Sequence, residues 1–229
     1  MANTYAFCTL ARDQTGNLED APEAPDTTTT VATNQPPVAQ CQDVTVTTDP
    51  STCAAATASV DNGSSDPDGD QITLDLSPSG PCPLGDNAVT LTVMDDKGAS
   101  DSCAASVTVI DQEPSVINNL AANPNVLWPP NCKMKPVTVT ADASDNCDPD
   151  PTCKITSVSS NEPVNGTGDG DAAPDWEITS DLTVNLRAER SGTGTGRVYT
   201  ITVECTDVSG NSATADTAVT VPHDLNNQT

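Results

Sequence analysis

Aromatic side chains are scarce in this chain: two Trp, two Tyr and one Phe among 229 residues. Few large groups are therefore on hand to fill a core, and cross-links of another kind are expected to hold it. Basic residues are scarce too. Eight Lys and Arg face 33 Asp and Glu, a formal net charge of −25, which repels nucleic acid and anionic membranes and argues against both as partners. The single histidine, His223, cannot anchor a His-rich metal site, and a Ser/His/Asp triad would depend on it alone, at the edge of the last module. No apolar run reaches the roughly 18 residues of a membrane span, so membrane insertion is not expected. No stretch shows a helical period.

Cysteine, by contrast, is abundant. None of the nine cysteines falls in the C-x-x-C spacing of zinc ribbons, redox sites or haem attachment. Disulfides are the default, and with them an oxidising compartment, secreted or at a cell surface. The opening Met1-Ala2-Asn3-Thr4-Tyr5-Ala6-Phe7-Cys8 lacks the basic n-region and long apolar h-region of a signal peptide. Export by a signal removed ahead of this sequence is expected; a virion protein is the other route to an oxidising exterior.

Residues 1–35 are rich in Pro, Thr and acid, for example Asn17-Leu18-Glu19-Asp20-Ala21-Pro22-Glu23-Ala24-Pro25-Asp26 followed by Thr27-Thr28-Thr29-Thr30, and read as a flexible arm or linker. Within it Tyr5, Phe7 and Leu10 alternate with small or polar residues. They mark either a frayed terminus or a short strand that pairs with a sheet edge, its own or a neighbour's. Beyond the arm one plan is stated twice. Val107-Thr108-Val109 recurs as Val219-Thr220-Val221, and at the same offset Asp95 with Gly98 recurs as Asp207 with Gly210. Two modules follow, 36–112 and 113–224, with a tail at 225–229. The alternating Val, Thr and Ala stretches predict strands over 44–48, 54–60, 72–76, 88–93 and 104–110, then 136–141, 153–159, 182–188, 198–204 and 213–221. The predicted class is all-β: two tandem Ig-like β-sandwiches preceded by the N-terminal arm.

Particular residues carry a resemblance. Asn34-Gln35-Pro36-Pro37-Val38-Ala39, Ser65-Asp66-Pro67-Asp68-Gly69-Asp70-Gln71-Ile72-Thr73 and Asp95-Asp96-Lys97-Gly98 make the first module similar to bacterial extracellular Ig-like modules of the PKD, cadherin-like and hyalin-repeat kind. Leu127-Trp128-Pro129-Pro130-Asn131, Ser160-Asn161-Glu162-Pro163, Leu186-Arg187-Ala188-Glu189-Arg190-Ser191-Gly192 and Val221-Pro222-His223-Asp224 make the second resemble an Ig-like domain appended to secreted bacterial proteins. The resemblance implies extracellular sandwich modules and no chemistry, since such modules serve as spacers, adhesins, filament parts and enzyme appendages alike.

Asp66, Asp68 and Asp70 place carboxylates at alternate positions around Gly69, and Ca²⁺ takes six to eight oxygens at about 2.3–2.6 Å. Ser77 stands where an EF-hand would carry its bidentate Glu, so other loops, with Asp95 or Asp96, would have to complete the site. Asp145, Asp148 and Asp150 form a second candidate cluster, and Asp169, Asp171 and Asp175 a third. Each reads as a Ca²⁺ site or as a solvated acidic turn. Among the cysteines, Cys153 and Cys205 fall on strands that sandwiches bridge, which leaves Cys132 with Cys147; Cys41 near the first strand and Cys103 near the last leave Cys53 with Cys82. Four cysteines allow three connectivities, so each pairing is one choice among three. Cys8 is left over, beside Tyr5, Phe7 and Leu10, free or joined to another chain.

Catalysis is not expected. No cleft of paired carboxylates is marked, and Gly192-Thr193-Gly194-Thr195-Gly196 lies between two strands with no helix after it, which predicts a hairpin loop and not a phosphate cradle. Trp128 and Trp176, with Arg187, Arg190 and Arg197 for polar grip, are candidates for a sugar-binding face; buried indoles and Arg–Glu189 pairing are the plainer alternative. Two functions remain. One is a non-catalytic extracellular structural or adhesive protein, disulfide- and Ca²⁺-stabilised, whose partners are its own copies or other surface proteins, including a filament subunit that donates its N-terminal strand. The other is a polysaccharide-binding accessory region of a larger secreted hydrolase.

Overall fold

Alternation of branched and small polar residues produces strands throughout the computed structural model, which describes residues 3–18, 20, 23–25, 27–164 and 173–224. In chain order the strands are β1 (Asn3–Phe7), β2 (Thr27–Val31), β3 (Val44–Thr47), β4 (Ala54–Ala55), β5 (Ile72–Ser77), β6 (Cys82–Pro83), β7 (Gly85–Asp95) and β8 (Ser100–Ile110). They continue with β9 (Val116–Asn123), β10 (Met134–Ser144), β11 (Thr152–Ser160), β12 (Trp176–Ser180), β13 (Thr183–Arg187), β14 (Gly196–Thr206) and β15 (Ser212–Pro222). The fold is all-β, with no helix among the described residues. Two compact units divide the chain: Met1–Val44, Ala58–Gly80 and Asp86–Val107 in the first, Thr45–Thr57, Pro81–Gly85 and Thr108–Thr229 in the second.

The second unit contains a sandwich. Its sheets run β12-β13-β10-β9 and β11-β14-β15. Along β14 every second side chain from Arg197 to Cys205 is fully buried, the period of two that a one-faced strand requires. Tyr199, Ile201 and Val203 join Val137 and Val139 of β10, Val184 and Leu186 of β13, and Val219 and Val221 of β15 in one apolar cluster. Gly196 opens β14 at φ +117°, and a Cβ there would meet Val221 O at 2.9 Å; only glycine lets these backbones approach so closely.

A four-stranded sheet of order β3-β8-β7-β5 carries the other repeat. Val89, Leu91 and Val93 of β7 and Val107 and Val109 of β8 are buried on alternate positions. The strand expected over 54–60 shrinks to β4, because Ala56 N donates to the Asp49 carboxylate at 2.7 Å and not to a ladder. The arm also differs from a free linker. Of the strand marked by Tyr5, Phe7 and Leu10, the first two fall in β1 and Leu10 lies beyond its end; β1 pairs with β2 in the antiparallel register Asn3↔Val31 to Phe7↔Thr27, so the Thr run is a strand.

The structure joins Cys41 to Cys103 and Cys153 to Cys205. It departs from the other expected pairs, because Cys53 lies 4.9 Å by Cα from Cys147 and is bridged to it. Cys82 is then a buried thiol in β6, and Cys132 sits at the surface outside these bridges. Pairing within presumed modules failed here because residues 45–57 pack with the second unit.

Candidate metal centre

Each repeat carries an Asp whose carboxylate caps its own turn. After β7, Asp95 N donates to Ala99 O, Gly98 N donates to Asp95 O, and Asp95 Oδ1 accepts from Lys97 N at 2.9 Å and Ala99 N at 2.8 Å. After β14 the pattern returns: Asp207 N donates to Asn211 O, Gly210 N donates to Asp207 O, and Asp207 Oδ1 accepts from Asn211 N at 2.8 Å. The glycines supply the left-handed residue, φ +89° at Gly98 and +92° at Gly210.

The carboxylate's outer oxygen takes an amide in both repeats, but from within its own turn in the second, where Asp207 Oδ2 accepts from Asn211 Nδ2 at 3.1 Å. In the first unit Asn34 Nδ2 donates to Asp95 Oδ2 at 2.8 Å. That hydrogen bond, against a smaller contribution from burial, holds the Asp95 carboxyl below the usual carboxylate range. Asn34 opens the stretch Asn34-Gln35-Pro36-Pro37; its counterpart is Asp111-Gln112-Glu113-Pro114, where a carboxylate replaces the amide. Asp111, Asp145 and Asp207 each offer an oxygen, all within 4.8 Å of one another. Asp111 is 7% exposed and Asp207 6%. Asp111 Oδ1 accepts from Glu113 N, but Asp111 Oδ2 is buried with no hydrogen-bond partner. Asp145 Oδ1 accepts from Cys147 N and Asp148 N, which fixes this carboxylate to its own loop.

No salt bridge to the three is present among the described residues. Two like charges 4.8 Å apart repel by about 3–4 kcal/mol at an effective dielectric near 20. Three such pairs and an orphaned buried oxygen make an unfavourable arrangement unless a cation is shared. Oxygens around one Ca²⁺ stand at most about 5 Å apart, twice the ligand distance. The donor set is hard oxygen only, which suits Ca²⁺ over softer metals.

No family model matches the chain, and a search of curated proteins returned no match. Solved structures similar to it include human protocadherin-24 EC1-2 (14% identity over 82% of this chain and 98% of that one, TM-score 0.39). Mouse protocadherin-24 EC1-3 (13%, 96% and 88%, TM-score 0.35) and Drosophila N-cadherin EC1-4 (14%, 79% and 48%, TM-score 0.37) are others.

The other acidic candidates are placed differently. Asp66, Asp68 and Asp70 also converge, and Asp66 Oδ2 is likewise buried without a hydrogen-bond partner, but here Lys97 answers part of the charge. Asp66 Oδ1 accepts from Asp68 N and Asp70 N, Asp68 accepts from Gln35 N and Nε2, and Asp70 pairs with Lys97 Nζ at 2.5 Å. Asp95 is the turn cap described above, and Asp96 is exposed beside it. Of the second candidate group only Asp145 reaches a cluster; Asp148 instead accepts from Val208 N at 2.9 Å and from Asp150 N at 3.0 Å. Asp169 and Asp171 lie outside the described residues. Asp175 belongs to Arg197, whose Nη1 it holds at 2.5 Å in a fully buried pair. Asp111 and Asp207 stand outside the dense acidic runs of the sequence. The repeat itself held the signal, since Asp207 is the counterpart of Asp95.

The two indoles differ in burial. Trp176 packs on the core, edge-on to Tyr199 at 6.2 Å, while Trp128 is 41% exposed. Arg187 donates to Pro174 O and Cys132 O, and Arg190 to Pro222 O, Ser191 O and His223 O. These guanidinium groups staple loops. The Gly192–Gly196 stretch is no hairpin, because β13 and β14 belong to different sheets.

Proposed function

We propose that this chain is a non-catalytic extracellular structural or adhesive protein whose second unit is rigidified by Ca²⁺ held at Asp111, Asp145 and Asp207. The observation that carries the reading is the buried, unpartnered Asp111 Oδ2 inside a cluster of three carboxylates. Disulfides and acidic composition support the extracellular setting. Surfaces for self-assembly or for other surface proteins are offered by the exposed N-terminal ribbon of β1 and β2, where a filament role would reside.

Calcium calorimetry and thermal unfolding with and without EDTA test this. At about 100-fold excess over its Kd, a bound ion adds about 2.7 kcal/mol, a rise of several degrees in Tm. The Asp111→Asn variant should lose calcium affinity at least about ten-fold. In EDTA it should melt above the wild type, because an amide can then donate to Asp207 as Asn34 does to Asp95. No heat of binding, with a Tm indifferent to EDTA, overturns the proposal.

A further inference from the structure

We infer that the cation of the acidic cluster and the Cys53–Cys147 disulfide form one coupled device, each making the other harder to remove. The inference rests on the calcium reading and concerns regulation of that same site. Residues 145–148 follow β10 as a loop outside the strands, and their attachments alternate between two anchors. Toward the cluster, Asp145 supplies its carboxylate and Asp148 Oδ2 accepts from Val208 N, the residue after Asp207. Toward the segment 45–57, Cys147 is bridged to Cys53, and Asn146 Nδ2 donates to Thr52 O at 2.7 Å. The anchors are joined by the Cys147 N to Asp145 Oδ1 hydrogen bond at 2.8 Å, so the bridged residue itself orients the ligating carboxylate.

Loss of either anchor burdens the other. With the bridge opened, the loop is tied to 52–53 by a single side-chain hydrogen bond, and Asp145 must be brought against Asp111 and Asp207 from a wider set of conformations. With the cation removed, repulsion among the three carboxylates pushes Asp145 outward and pulls on Cys147. Equilibrium linkage makes the effect reciprocal: the factor by which the bridge raises cation affinity is the factor by which the cation disfavours reduction. The redox step is ordinary exchange with a dithiol. Dithiothreitol gives two electrons and two protons to the Cys53–Cys147 bond, leaving two cysteine thiols and cyclic oxidised dithiothreitol.

The test uses the full chain equilibrated with graded dithiothreitol in CaCl₂ or in EDTA, with thiols trapped by iodoacetamide and located by peptide mass. Calcium should shift the midpoint for Cys53–Cys147 by about ten-fold in dithiothreitol ratio, within the usual range of such couplings. It should leave Cys41–Cys103 unmoved, and Cys153–Cys205, set between paired positions of β11 and β14, clearly less affected. In an Asp207→Asn variant, whose side chain can still accept from Asn211 N, the calcium effect should vanish while the bridge still forms. A Cys53→Ala/Cys147→Ala variant should bind calcium more weakly by the same factor. If both second-unit bridges are protected equally, stabilisation is global and the coupling fails. If calorimetry shows calcium bound but Cys53–Cys147 reduces identically in EDTA, the coupling fails and the calcium reading stands. If no calcium binds, the reading beneath it fails.

Discussion

Arg197 has no exposed surface, a position that a guanidinium holds only when its charge is answered on the spot. Its Nη1 meets Asp175 Oδ2 at 2.5 Å, Glu189 Oε1 at 3.4 Å and Tyr199 Oη at 3.2 Å, Nε meets Glu162 Oε2 at 3.3 Å, and Nη2 donates to Pro163 O. Burial works against the charged form, yet the hydrogen bond with Tyr199 and the Asp175 carboxylate outweigh it and raise the Arg197 pKa. Burial in turn pushes the Tyr199 hydroxyl up to about 12. Replacing Arg197 with Met leaves the buried Asp175 carboxylate without its cation and Glu189 with Arg187 at 3.8 Å, so it should cost about 3–5 kcal/mol, read as a lower urea midpoint for Trp fluorescence, both indoles being in the second unit. Pairing of Arg187 and Arg197 with Glu189 was legible in the sequence; Arg190 instead donates to backbone carbonyls. The choice of Asp175 was not legible, because nothing in a run of Asp and Gly distinguishes a carboxylate that turns inward to a guanidinium from one that turns outward to a metal.

At the scale of elements, the ribbon of β1 and β2 stands apart. Its register puts Tyr5, Phe7 and Val31 on one face, and these side chains are 50%, 53% and 54% exposed. A lone two-stranded sheet is marginal in water, and an apolar face of this kind gains by being covered. Neither strand carries a charged side chain, in a protein of net charge −25, so copies meet here with the least repulsion. Under the proposed reading, the wild type should associate with rising concentration in sedimentation velocity, and the Tyr5→Lys/Phe7→Lys variant should remain monomeric. Identical sedimentation of the two would remove the ribbon from the assembly. Long strands such as β7, β8, β14 and β15 were legible because branched residues alternate with polar ones through each. The Thr27–Val31 strand was not: four threonines after a Pro-rich acidic stretch have the composition of a linker, and only a partner strand turns them into a sheet.

For the whole molecule, the repeated plan was legible because two copies of the Asp–Gly turn and the Val-Thr-Val strand lie at one offset. The metal cluster was not, since its three residues come from separate segments at 111, 145 and 207 that only the fold assembles. The two repeats answer acid differently from most acidic surfaces, and the first unit gives a signed prediction. Asp95, Asp61, Asp68 and Asp101 are all held below the ordinary carboxylate value, by hydrogen bonds from Asn34, Ser64, Gln35 and Ala39 respectively. A carboxyl depressed in the folded state favours folding wherever the unfolded chain would hold more protons. Its contribution is therefore complete above the unfolded value near 4 and is lost as pH falls through the folded values below it. Lys97, raised by its hydrogen bond to Asp70, adds a contribution that disappears only at high pH, far from this window. At about 0.15 M salt long-range repulsion is screened within about 8 Å, so its relief on acidification should not mask the local losses. Unfolding followed by the amide signals of Lys97 and Ala99, which donate to Asp95, should be flat from pH 7 to about 5 and fall steeply below about 4. The Asp95→Asn variant should show a shallower fall, because it no longer has a carboxylate to protonate; equal steepness in the two would mean that these hydrogen bonds do not set the acid limit.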